Sequence, residues 1–109
     1  MLEADALALL TIARRDLQAA QGMTDTTTFH EAVWGFQVQQ TIEKALKAWL
    51  YLSGMEPPFT HDLVALLKLL EQAGCDIAPY RDLERSSWNG RAEALVMSIE
   101  AMLPPPALP

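Results

Sequence analysis

Four polar residues interrupt what otherwise reads as the apolar surface of a long central helix: Gln40, Glu43, Lys44 and Lys47. Glu43 and Lys47 stand at i and i+4 in the favourable order, a pairing that contributes about 0.2–0.5 kcal/mol to a helix. Gln40, Glu43 and Lys47 follow one helical direction, with Lys44 beside them. Polar groups so close to packing faces must be satisfied. They form either an internal salt-bridge seam or the lining of a site, where Lys44 and Lys47 would meet phosphate. His61, between Thr60 and Asp62, begins a later helix and would sit at the rim of that seam. Imidazole is the side chain suited to proton transfer near neutral pH, but a histidine in a first helical turn is more often a partly exposed structural residue, so no catalytic residue is assigned. His30 has less support still.

Other chemistries lack their residues. The sequence contains no H-E-x-x-H, no helical E-x-x-H and no Cys/His cluster, so no metal site is expected. No Gly-rich phosphate loop or nucleophile elbow is present, and Ser86-Ser87 has no adjacent base. No cofactor is expected. Of the three tryptophans, Trp49 falls on a core row, while Trp34 and Trp88 suit an interface. Only Arg85 and Arg91 flank Trp88, little support for base stacking.

The chain that must position these residues has 109, enough for one domain. Half are hydrophobic, so a core can form without disulfides. Eight Lys and Arg against 14 Asp and Glu give a formal charge of -6, which opposes non-specific binding of nucleic acid. Cys75 is the only cysteine, consistent with a reducing compartment. Met1-Leu2-Glu3-Ala4-Asp5 lacks the cationic start of a signal peptide. No apolar run reaches the roughly 18 residues of a membrane span. These features lead us to expect a cytoplasmic protein with no membrane association.

Helical periodicity runs through the sequence. Leu2, Ala6, Leu9, Leu10, Ala13, Leu17 and Ala20 mark a first helix ending near Gly22. A second, about Phe29 to Ser53, starts from Thr27 or Thr28. It has one apolar row of Val38, Ile42, Ala45, Trp49 and Leu52, and another of Phe36, Leu46 and Leu50. A helix apolar on two sides is central in its bundle. Gly35 within it suggests close approach of a neighbour. Thr60 is the expected N-cap of a third helix, with Asp62 in its first turn, Leu63, Leu66, Leu67 and Leu70 inward and Gly74 as its stop. Asp76 to Trp88 reads as a fourth helical region, with Pro79 in its first turn and Tyr80 and Leu83 inward. Asn89-Gly90 would break or kink the chain. Arg91 to Leu103 makes a last helix with Ala94, Leu95, Met97, Ile99 and Met102 as apolar contacts. The reading is an all-α, up-and-down bundle of four to five helices over residues 1–103, followed by a Pro-rich flexible tail at 104–109.

The stretch from Gln39-Gln40 through Glu43-Lys44-Ala45-Leu46-Lys47, the Pro57-Pro58 turn and then Thr60-His61-Asp62-Leu63 resembles the HEPN family of small helical bundles. The similarity begins at Arg15-Asp16-Leu17 and is strongest over 36–50 and 60–67. It implies a ribonuclease toxin, or a nucleotide- or RNA-associated partner of a nucleotidyltransferase-type protein. Gln40, Glu43 and Lys44 fall on the family's central-helix pattern. Ribonuclease members carry, late in the chain, an Arg followed four to six residues on by a His. This sequence has no His after His61, so the ribose 2′-hydroxyl would lack its acid–base partner. The reading is therefore a non-catalytic HEPN-like module, a homodimer, working with a nucleotidyltransferase-type partner in a toxin–antitoxin or defence-related system. The alternatives are a degenerate metal-independent ribonuclease using His61 or a carboxylate, and a histidine phosphotransfer-like bundle. The latter wants an exposed helical His with a nearby Lys and a small residue following, which His30-Glu31-Ala32-Val33 does not supply.

Overall fold

A computed structural model describes residues 2–22, 31–80 and 88–103, and the side chains at 2, 31–34 and 88–91 lie outside that description. Four α-helices account for most of it: α1 (Leu2–Gly22), α2 (Glu31–Leu52), α3 (Leu63–Gln72) and α4 (Trp88–Glu100), with a single 3₁₀ turn at Ala78–Tyr80. No strand occurs among the described residues, in accord with the all-α bundle. α2 packs on α1, α3 and α4, and α1 also meets α4. The centrality of α2 follows from its composition. Val38, Ile42, Ala45 and Trp49 are buried on one side, and Leu46 and Leu50 on another. α1 presents the narrower stripe of Ala6, Leu10, Ala13, Leu17 and Ala20, and α3 buries Leu63, Leu66, Leu67 and Leu70. Tyr80 meets Trp49 edge to face, with centroids 5.9 Å apart at 87°, the geometry favoured by the ring quadrupoles.

Two glycines set where α2 and α3 end. Gly54 and Gly74 have φ of +86° and +91°, open to glycine at little steric cost. After α2, Met55 N–H donates to the Leu50 carbonyl at 2.9 Å and Gly54 N–H to Tyr51 at 3.0 Å. After α3, Cys75 N–H donates to Leu70 and Gly74 N–H to Glu71, both at 3.0 Å. Both ends are Schellman motifs, which satisfy the last carbonyls and reverse the chain.

Several details differ from the sequence reading. The N-cap of α3 is Asp62, not Thr60: Asp62 Oδ1 accepts from Val64 N–H at 3.0 Å and Ala65 N–H at 3.3 Å. Thr60 Oγ1 instead accepts the Asp62 N–H, a side-chain turn that aims the chain into the helix. Phe36 is 61% exposed rather than part of the Leu46–Leu50 row. A Cβ added at Gly35 would meet open space, so no close helix approach explains that glycine. α4 begins at Trp88 and runs through Asn89-Gly90 without a break. Its buried stripe is Ala92, Leu95, Val96 and Ile99, while Ala94, Met97 and Met102 are exposed. The i, i+3, i+4, i+7 spacing of that stripe fixes one face, and Met97 falls outside it. Of the expected fourth helical region, only the turn Ala78–Tyr80 appears. Positions 81–87, which include Leu83, Arg85 and Ser86-Ser87, lie outside the described residues, as do Thr27, Thr28, Phe29, His30, the side chains of Trp34, Trp88 and Arg91, and the tail 104–109.

Candidate functional site

Glu43 is the centre of the polar face. Its side chain is only 5% exposed, yet both carboxylate oxygens have partners. Lys47 Nζ donates to Oε2 at 3.3 Å from one turn further along α2, and His61 Nδ1 lies 2.9 Å from Oε1, reaching in from the loop before α3. An ionised carboxylate only accepts, so this contact puts a hydrogen on Nδ1 and leaves Nε2 as the other ring nitrogen. The imidazole is 82% exposed. Its position depends on the Thr60 and Asp62 turns that lead the chain into α3.

Lys44 points elsewhere. One residue on from Glu43, it is rotated by about 100° around the helix, and its ammonium donates to Asp16 Oδ2 on α1 at 2.5 Å. Gln37 Nε2 donates to the other oxygen, Asp16 Oδ1, at 2.9 Å. Thr41, fully buried between these positions, donates to the Gln37 carbonyl at 3.0 Å. The two lysines, about 60° apart around α2, therefore take different partners, Lys44 a carboxylate on α1 and Lys47 one on its own helix. Gln40 is half-buried and makes no side-chain hydrogen bond among the described residues.

The structure thus brings Glu43, Lys47 and His61 together and separates Lys44 into a second cluster. Asp16 and Gln37, which anchor that cluster, were not singled out from sequence. A signal existed: Asp16 sits beside the buried Leu17 on α1, where a carboxylate needs a partner. A third interhelical tie joins Arg14 on α1 to Glu100 on α4 through both guanidinium Nε and Nη2. The hydrogen bond to Glu100 raises the Arg14 pKa, against a smaller opposing effect of burial. Every buried side-chain polar atom among the described residues is satisfied. No cluster of three His, Cys, Asp or Glu suited to a metal occurs among them. No helix among them is long and apolar enough to cross a membrane.

As it stands, this face can fasten α2 to α1 and to the α3 loop, hold an imidazole in one tautomer at the surface, and present Gln40 and Phe36 outward. A family model for the HEPN domain matches residues 6–95. The match contains Asp16, Gln37, Gln40, Glu43, Lys44, Lys47 and His61 and runs from α1 into α4. No curated protein and no solved structure matches the chain. With four helices around a central α2 and a family match over most of its length, this chain belongs to the HEPN family.

Proposed function

We propose that this HEPN domain is a non-catalytic interaction module, nucleotide- or RNA-associated through its assembly. It forms a homodimer and works with a nucleotidyltransferase-type protein in a cytoplasmic toxin–antitoxin or defence-related system. The observation that carries this reading is the state of the α2 face. Lys44 and Lys47 already face Asp16 and Glu43, so neither is a free cation for phosphate. Phe36 and Gln40, in the same helical direction as Lys47, have unsatisfied apolar and amide surface to offer a partner. Closed two-fold pairing is the common way to cover such a face. The missing Arg-to-His motif supports the non-catalytic half of the proposal.

Light scattering tests it. Wild-type protein at high micromolar concentration should give the dimer mass, and Phe36→Glu should give the monomer with unchanged helical circular dichroism. A monomeric wild type would refute the dimer. Clean protein should not turn over RNA in the absence of metal. Any weak binding of RNA or nucleotide at Gln40, Glu43, Lys44, Lys47 and His61 has to draw Lys44 and Lys47 away from Asp16 and Glu43, and Lys44→Glu/Lys47→Glu should abolish it with the helical circular dichroism retained.

The Glu43–His61 contact supports a second reading, a degenerate metal-independent ribonuclease. A carboxylate that fixes the imidazole tautomer is the arrangement that prepares Nε2 to accept a proton. RNA turnover by the wild type that disappears in His61→Ala, with the fold intact, would replace the non-catalytic reading with this one.

A further inference from the structure

On the other side of α1, away from the polar face of α2, a groove of about 270 Å³ opens against the end of α4. Leu10, buried, and Leu103, half-buried against the core, form its apolar part together with Leu7, which is 53% exposed. The α1 end of this lining carries two arginines. Arg14 is held by Glu100 and stays protonated. Arg15 is exposed and has no carboxylate partner among the described residues. Thr11, also in the lining, donates its hydroxyl to the Leu7 carbonyl of its own helix. The groove therefore combines an apolar floor with one uncommitted cation, on a chain whose formal charge is -6.

We infer that this α1–α4 groove docks an acidic peptide segment of a partner protein, with a leucine-like side chain on Leu7, Leu10 and Leu103 and a carboxylate on Arg15. Charge complementarity selects the occupant. Arg14 and Glu100 offset each other in the lining, so the charge left over is that of Arg15: a basic segment would be repelled by it, and a wholly apolar one would make no use of it. The polarity of the groove sets the direction. Glu3 lies one turn before Leu7 on the same side of α1 and is exposed, so it repels a carboxylate at the Leu7 end. Leu7 and Arg15 are eight residues apart, about 12 Å along the helix axis. In an extended segment at about 3.3 Å per residue, the leucine and the carboxylate are then three to four residues apart.

A fluorescein-labelled octapeptide with two adjacent leucines, one serine and then two aspartates probes the site by fluorescence anisotropy. A counterpart with lysines in place of the aspartates is the control. Wild-type protein should bind the acidic peptide and not the lysine one. Arg15→Glu and Leu7→Asp should each weaken binding on the order of tenfold, as for an anchor residue at an interface. Both side chains are exposed, so helical circular dichroism should not change. Lys68→Glu, the same charge change on the exposed surface of α3, should leave binding intact. The inference fails if the acidic peptide does not bind, if the lysine peptide binds equally, or if Lys68→Glu weakens binding as much as Arg15→Glu. It also fails if Leu7→Asp converts a wild-type dimer to a monomer, which would assign the groove to a second copy of the chain.

Discussion

Replacing Lys47 by Met tests whether the α2 face is held together by its charges. Glu43 would keep one partner, His61, whose imidazole is 82% exposed and so is held in a contact worth about 0–1 kcal/mol. The carboxylate itself is 5% exposed and Lys47 16%, so the loss falls on a nearly buried charge. Stranding a fully buried charge costs roughly 3–5 kcal/mol. The retained histidine and the partial solvent exposure at Lys47 reduce this to about 2–3 kcal/mol. For a small domain with a urea slope of about 1–3 kcal/mol per molar, the midpoint should fall by roughly 0.7–3 M. The double variant Glu43→Leu/Lys47→Met should recover most of that loss, because replacing a buried pair by apolar groups is often near neutral. Urea titrations followed by circular dichroism, at one protein concentration, give all three midpoints. A Lys47→Met midpoint indistinguishable from wild type, or a double variant no better than the single one, would show that the pair is not what satisfies Glu43.

Two further outcomes check the fold. Ile42→Ala removes three carbons from a fully buried position on the central helix. At about 0.8 kcal/mol per carbon plus a cavity term, it should cost roughly 2–5 kcal/mol in the same titration, and a loss below about 1 kcal/mol would place Ile42 outside the packed core. Gly74→Ala forces a side chain into the left-handed region at φ +91° and should cost about 1–2 kcal/mol, whereas a neutral result would mean that the α3 end rearranges without its Schellman turn.

Much of the architecture was legible from residue order alone. Helical spacing placed α1, α2 and α3, and the two-sided apolar pattern of α2 identified the central helix. Of the twelve apolar residues placed on the packing rows of α2 and α3, ten are buried, Leu52 is half-buried and Phe36 is exposed. That succeeds because burial of a helix face is a local pattern repeated every 3.6 residues. The pattern was weaker in α4, where alanine and methionine occur on more than one face, and packing against α1 and α2 selected Ala92, Leu95, Val96 and Ile99. Cap chemistry was ambiguous in the same way, because Thr60 and Asp62 are both good caps and only the path of the loop chose Asp62.

The candidate site divides along the same line. Glu43–Lys47 follows from an i, i+4 spacing and is visible in the sequence. His61–Glu43 joins residues 18 apart, Lys44–Asp16 joins residues 28 apart, and Arg14–Glu100 joins residues 86 apart. No spacing rule foretells these pairs, since each depends on how two helices, or a helix and a loop, come to lie side by side. The sequence determined which polar groups stand on the central helix; the packing of α1 and the α3 loop against that helix decided which of them are paired, because α1 covers the side of α2 that carries Gln37, Val38 and Thr41 and not the direction of Phe36 and Gln40.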